Sequence, residues 1–383
     1  MNGTPSRGVE SVTIDTVLLK TASRCNIACS YCYVYQLGDQ GWQRQPPTMS
    51  RSTIDAVVSR LDELRQAQGR DFAVVLHGGE PLLLGEALLT RLLTGLRARL
   101  PVGCTLSVQT NGTLLTEPLL DLFSDAGATV SVSLDGPPKV HDARRVGFDQ
   151  GGTFEATLDG IHCLQRHPAA ERLFSGTLSV VEPSTDPGEI YWFLRGLGVP
   201  GMNFLLPDGN HSRLPPCKTG FDSHEAGGWL AALFDVYMSD PDPVPIRLLD
   251  DLVKLLLGGS ATKEGMGQDL SAIFIIDTDG TVTKNDTLKS AFDGADRFDE
   301  PWSVHSHSLQ EIARTATFRE SVELQRPSAN QCLRCPELSV CGGGMPLHRW
   351  SDERGFDNPS VYCADHLFLI SRVRRYLDAH LPA

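Results

Sequence analysis

The chain has 383 residues, 41% of them hydrophobic, enough for one large core and a smaller second domain. A formal net charge of −13 argues against a DNA or RNA surface, no apolar run reaches membrane-spanning length, and the opening "MNGTPSRGVESVTID" lacks a secretory pattern. The expected location is the cytoplasm, where the ten cysteines stay reduced, and their bunching points to metal before disulfides.

From residue 13 to about 209, short β-branched runs alternate with amphipathic stretches. The predicted strands are "TIDTVLLKTA", "FAVVLHGGEP", "TLSVQTNG", "ATVSVSLDG", "SGTLSVVEP" and "GMNFLLPDG". Helical periodicity falls between them, as in "STIDAVVSRLDELRQAQ" and "EALLTRLLTGLRARL". Six such repeats predict an α/β fold with a parallel sheet, open or curled into a partial barrel. Most strands end in a polar or glycine-rich tag, and such carboxyl ends converge on one mouth. After a Gly, Pro and His rich connector, two helices are predicted over 227–258, then a β-hairpin around Asp279-Gly280. The expected domains are 13–211, a helical bridge over 212–259, and a second domain over 260–383.

Two cysteine sets stand out. "TASRCNIACSYCYVY" follows the first strand and places Cys25, Cys29 and Cys32 as C-x3-C-x2-C at the mouth. Three thiolates can hold three irons of a 4Fe–4S cluster and leave the fourth iron open; a zinc site with a remote fourth ligand, or unrelated thiols, is the alternative. Near the other end Cys332, Cys335, Cys341 and Cys363 supply four thiolates, a closed shell that suits a 4Fe–4S cluster or zinc.

The first cysteine set, "GGEP" at 78–81, "QTNG" at 109–112 and "SLDGPPKVHDARR" from 133 occur together and in order. On these motifs residues 13–210 resemble the radical S-adenosylmethionine (SAM) enzymes. The resemblance implies a partial (β/α)6 TIM-type barrel in which SAM chelates the open iron and is cleaved to a 5′-deoxyadenosyl radical. It also implies SAM contacts from Gly78, Gly79 and Glu80, from Asn111, from Ser133 to the ribose and from Arg145 to the carboxylate. Turn, capping and ion-pair roles are the structural alternatives for these residues.

Residues 260–383 resemble the SPASM auxiliary-cluster domain, an α+β unit. C-x2-C-x5-C and a distant cysteine are kept, whereas Asn285 and Met345 stand where a further cluster would have ligands. The resemblance thus implies two 4Fe–4S clusters, one SAM-binding and one auxiliary. Asp286 follows Asn285 and aligns with a carboxylate thought to act as a base in sulfatase-maturing relatives. "CGGGMPLHRW" and "GTVTKNDTLKSA" are similar to FxsB-like maturases. This implies a cyclophane crosslink between an aromatic ring and the β-carbon of a residue two positions later, in a ribosomally made precursor peptide with a leader segment. An external electron donor of flavodoxin or ferredoxin type is implied as well. The alternatives are thioether formation, epimerisation, formylglycine-type oxidation, or a non-catalytic Fe–S or zinc peptide-binding module. Leader recognition is expected to fall to region 212–265 or to another protein.

Overall fold

The computed structural model describes residues 12–261 and 264–380. Six strands run parallel, each hydrogen-bonded to the next: β1 (Thr16–Ala22), β2 (Ala73–Gly78), β3 (Leu106–Thr110), β4 (Ala128–Ser133), β5 (Phe174–Val180) and β6 (Met202–Leu205). The main helices that return the chain are α1 (Arg51–Gln68), α2 (Glu86–Arg99), α3 (Glu117–Asp125), α4 (Phe154–Arg166) and α5 (Pro187–Gly196).

The local reasons are visible in the residues. Ser50 caps α1 by accepting from the Thr53 backbone N–H, and Gly69, left-handed at φ 64°, ends it. Ile54, Val57, Val58, Leu61 and Leu64 form its buried stripe, at the three and four residue spacing that faces one side of a helix. In β2 the fully buried Val74 and Leu76 alternate with half-buried neighbours, as expected of a pleated strand.

The Asp279-Gly280 hairpin forms between β7 (Ile273–Ile276) and β8 (Thr281–Thr283), and β9 (Trp302–Ser303) follows. Yet β7 also lies parallel to β1, with Thr16 opposite Ile273 and Leu19 opposite Ile276. Among the described residues the sheet therefore reads β6-β5-β4-β3-β2-β1-β7-β8-β9 and runs without a break past residue 260.

The two bridge helices form as α6 (Glu225–Ser239) and α7 (Arg247–Leu256), and the chain closes with α8 (Cys363–His380). A buried ion pair from Lys218 to Asp365, whose other oxygen accepts from the Gly227 backbone N–H at 2.8 Å, ties the bridge to the first turn of α8. One hydrophobic core runs from Val17 through Phe204 and Trp229 to Val373. Among the described residues no helix is long and apolar enough to cross a membrane.

Candidate active site

The carboxyl ends of the strands converge on a cavity of about 190 Å³. Cys25, Cys29 and Cys32 line it from the loop after β1, Gly78 and Gly79 from the end of β2, Asn111 from β3, Ser133 from β4 and Arg145 from the segment beyond. Burial pushes the thiols of Cys25 up to about 12 and Cys32 up to about 11, so a metal would have to displace their protons. Both glycines are required by close approach. A Cβ on Gly78 would stand 2.0 Å from the Ala22 carbonyl oxygen, and one on Gly79 would stand 2.2 Å from that of Arg24. These contacts bring the end of β2 against the cysteine loop, where Gly79 and Glu80 donate backbone N–H groups to Ala22 and Arg24 at 2.9 Å.

Arg145 is buried, and its Nη1 donates to the Tyr31 hydroxyl at 2.7 Å, which in turn donates to Asp135 at 2.6 Å. Its Nε is buried and has no hydrogen-bond partner among the described residues. A guanidinium with a spare donor in a cavity beside three thiols fits an anionic group such as a carboxylate.

Glu80 departs from the expectation. Its side chain is fully buried and does not line the cavity. It accepts from the Thr110 hydroxyl at 2.7 Å, the Asn111 N–H at 2.8 Å and the Leu82 N–H at 3.1 Å. The carboxylate thus fixes the turn after β3 and sets Asn111, whose Nδ2 donates to Asn26 Oδ1 at 2.8 Å beside Cys25. Ser133 faces the cavity and accepts from Gln109 at 3.0 Å.

A second cavity of about 180 Å³ adjoins the first, and Tyr33, Leu205, Leu206 and Asp208 line both. Its other walls are largely apolar, with Leu230, Leu248 and Leu252 from the bridge, Met266 from the segment that follows it, Leu369 and Ile370 from α8, and His348 and His366 as polar points. Tyr33 stands in the sequence as an aromatic beside the last cysteine of the first set and Asp208 in the tag "LPDG" after the sixth strand, whereas no sequence signal marks His348.

Asp286 lies behind Tyr33 and lines neither cavity. It accepts from Lys20, from the Tyr33 hydroxyl at 2.6 Å, and pairs with Lys289 at 3.2 Å. Burial alone would raise its affinity for a proton, but Lys20 and Lys289, with the hydrogen bonds from Lys20 and Tyr33, hold its carboxyl far below the usual range. Its neighbours thus hold it in the charged form. Lys289 also pairs with Asp296 at 3.1 Å and with Asp277 at 3.9 Å, so Asp286 belongs to a buried charge cluster.

Cys332, Cys335, Cys341 and Cys363 are electrostatic neighbours, and burial pushes Cys341 up to about 12. Among the described residues no three His, Cys, Asp or Glu side chains converge closely enough to share one metal ion. Arg349 is buried beside Cys332 and Cys341, with Nη2 on the carbonyls of Leu324 and Gln325 and Nε without a partner among the described residues. No ion pair to a carboxylate is found for it there, so an anionic thiolate-bound group is the counter-charge that fits. At the positions expected to lack a further cluster, Asn285 donates to Glu264, and Met345 packs so closely on Gly265 that an added Cβ would stand 2.8 Å from its sulfur.

The fold is the radical SAM partial barrel with a C-terminal auxiliary region, and residues 19–169 match the Radical SAM superfamily. The matched stretch contains the first cysteine set and the residues Gly78, Gly79, Asn111, Ser133 and Arg145. Over 360 residues it is 24% identical to the cysteine-type anaerobic sulfatase-maturating enzyme of Clostridium novyi (strain NT), covering 91% of this chain and 92% of that protein. Over 344 residues it is 27% identical to the serine-type enzyme of Klebsiella aerogenes, covering 85% and 77%. Among solved structures, native anSMEcpe with bound AdoMet and Cp18Cys peptide superposes with a TM-score of 0.79 at 22% identity, covering 95% of this chain and 98% of that one. Streptococcus suis SuiB bound to precursor peptide SuiA superposes with a TM-score of 0.58 at 10% identity, covering 88% and 73%.

Proposed function

We propose that the protein is a radical SAM enzyme that oxidises the β-carbon of a residue in a peptide or protein. The observation that carries this reading is the junction of two cavities through Tyr33, Leu205, Leu206 and Asp208, one lined by three thiols and Arg145 and the other largely apolar. Cys25, Cys29 and Cys32 would hold the SAM-binding cluster, and Cys332, Cys335, Cys341 and Cys363 an auxiliary one. SAM, when bound, supplies a 5′-deoxyadenosyl radical that abstracts hydrogen. The chain's own residues orient and enclose. Gly78 and Gly79 bring backbone against the cysteine loop, Ser133 and Asn111 offer polar contacts, Arg145 offers a free donor to a carboxylate, and the apolar walls keep water out.

The likeness to sulfatase-maturating enzymes over most of the chain favours oxidation of a cysteine or serine to formylglycine. A second reading, a cyclophane crosslink in a leader-bearing precursor peptide, draws support from the apolar second cavity, which suits an aromatic side chain, and from Asn285 and Met345 at the cluster positions. Anaerobic reconstitution should load about eight irons per chain and give reductant-dependent 5′-deoxyadenosine. Incubation with sulfatase-type peptides, and co-expression with small neighbouring open reading frames, then separates the readings. A loss of about 2 Da fits a ring or a serine-derived aldehyde, and NMR distinguishes the two. Failure to cleave SAM with iron fully loaded refutes the reading.

A further inference from the structure

We propose that Asp208, and not Asp286, takes up the proton that leaves the substrate when its radical is oxidised. The proposal rests on the reading of the protein as an oxidase of a peptide β-carbon. Asp208 follows β6 at the mouth of the barrel and lines both the thiol-bearing cavity and the apolar one. Its side chain is 18% exposed. The Ser290 hydroxyl donates to Oδ2 at 3.2 Å, and His348 Nε2 stands 3.9 Å from Oδ1. Asp286, by contrast, lines neither cavity and is already held by Tyr33, Lys20 and Lys289.

The electrostatics agree with the geometry. Burial, the largest influence, pushes the Asp208 carboxyl up to about 7; the Ser290 hydrogen bond pulls it down and the charge of Asp286 pushes it up. Tyr33, Tyr362 and His348 are the other titratable groups that face it. A base poised near the working pH is the arrangement that makes proton transfer efficient.

The step balances as follows. The substrate β-carbon first loses a hydrogen atom to the deoxyadenosyl radical. The resulting carbon radical becomes product by giving up one proton and one electron. In a serine or cysteine the O–H or S–H bond breaks and a C=O or C=S bond forms; in a crosslink the β-carbon first forms a C–C bond to the ring, and then a ring C–H bond breaks and aromaticity returns. The proton goes to an Asp208 carboxylate oxygen, and the electron leaves to a one-electron acceptor of the iron–sulfur class.

The test uses the full-length reconstituted protein with its peptide. In Asp208→Asn the ratio of product to 5′-deoxyadenosine should fall by about 100-fold or more, since general base catalysis contributes on that order. Ser290→Ala, which removes the donor that lowers the carboxyl, should move the pH midpoint of product formation upward. In the reconstituted wild-type protein, ¹³C-aspartate NMR should find one carboxyl titrating near pH 7 that is missing from Asp208→Asn. A ratio in Asp208→Asn equal to wild type, or a carboxyl that titrates near pH 4, overturns the assignment. A wild type that cleaves no SAM overturns the broader reading instead, while the NMR titration still decides the state of Asp208.

Discussion

Asp286→Asn tests whether the carboxylate is part of a pre-ionised charge cluster or a base. In the native chain Asp286 neutralises Lys20 and Lys289 and accepts from Tyr33. Replacing it leaves those two buried ammonium groups with Asp277 and Asp296 as remaining anions, at 3.9 Å and 3.1 Å. Removing one partner of a buried ion pair costs about 3–5 kcal/mol. With an unfolding entropy of about 0.8 kcal/mol/K for a chain this long, the loss is about 4–6 °C in melting temperature. The assay is anaerobic thermal and urea unfolding of both proteins from pH 3 to 9. The Asp286 carboxyl is held below its unfolded value, so its stabilisation is complete above about pH 4 and fades as the pH falls further. The wild-type advantage should therefore be flat from about pH 5 to 9 and shrink below about pH 4. A difference under about 1 kcal/mol, or one that changes between pH 6 and 8, would refute the clamped carboxylate and return Asp286 to the role of base.

Three further outcomes follow from the geometry. Arg145→Met should weaken SAM binding about 10–100-fold by equilibrium dialysis, because it removes charge-assisted hydrogen bonds worth about 1.5–3 kcal/mol. Gly79→Ala places a Cβ 2.2 Å from the Arg24 carbonyl oxygen and should cost about 1–3 kcal/mol in urea unfolding together with a loss of SAM affinity; wild-type affinity would show that the approach of β2 to the cysteine loop is unimportant. Arg349→Met removes the buried cation beside Cys332 and Cys341, so iron content should drop toward about four per chain, or the auxiliary potential should move negative; unchanged iron and potential would contradict the pairing.

Much of the barrel is legible in the sequence, because strands covered on both faces read as apolar runs and their polar ends stand out as tags. The cysteine sets are legible for a similar reason, since spacing survives folding. Long-range pairing is what local pattern cannot carry. Lys20 meets Asp286 across 266 positions, and Asp208 meets His348 across about half that gap, so neither the clamp nor the carboxyl at the cavity junction shows in any short window. Glu80 makes another pairing that no short window shows, since its carboxylate accepts from Thr110 and Asn111 at the next strand end. The Asp279-Gly280 hairpin is likewise readable as a hairpin, but nothing in its alternation says that β7 adds to β1.

That last pairing has a consequence for how the molecule is made. β1 finds its partner on one side as soon as Ala73 to Gly78 emerge, but the partner on its other side, Ile273–Ile276, is synthesised only after most of the chain. Until then β1 keeps an unpaired edge, and the three cysteines that follow it hang from a half-finished sheet. The three cysteines thus precede by more than half of the sequence the strand that completes the sheet beneath them.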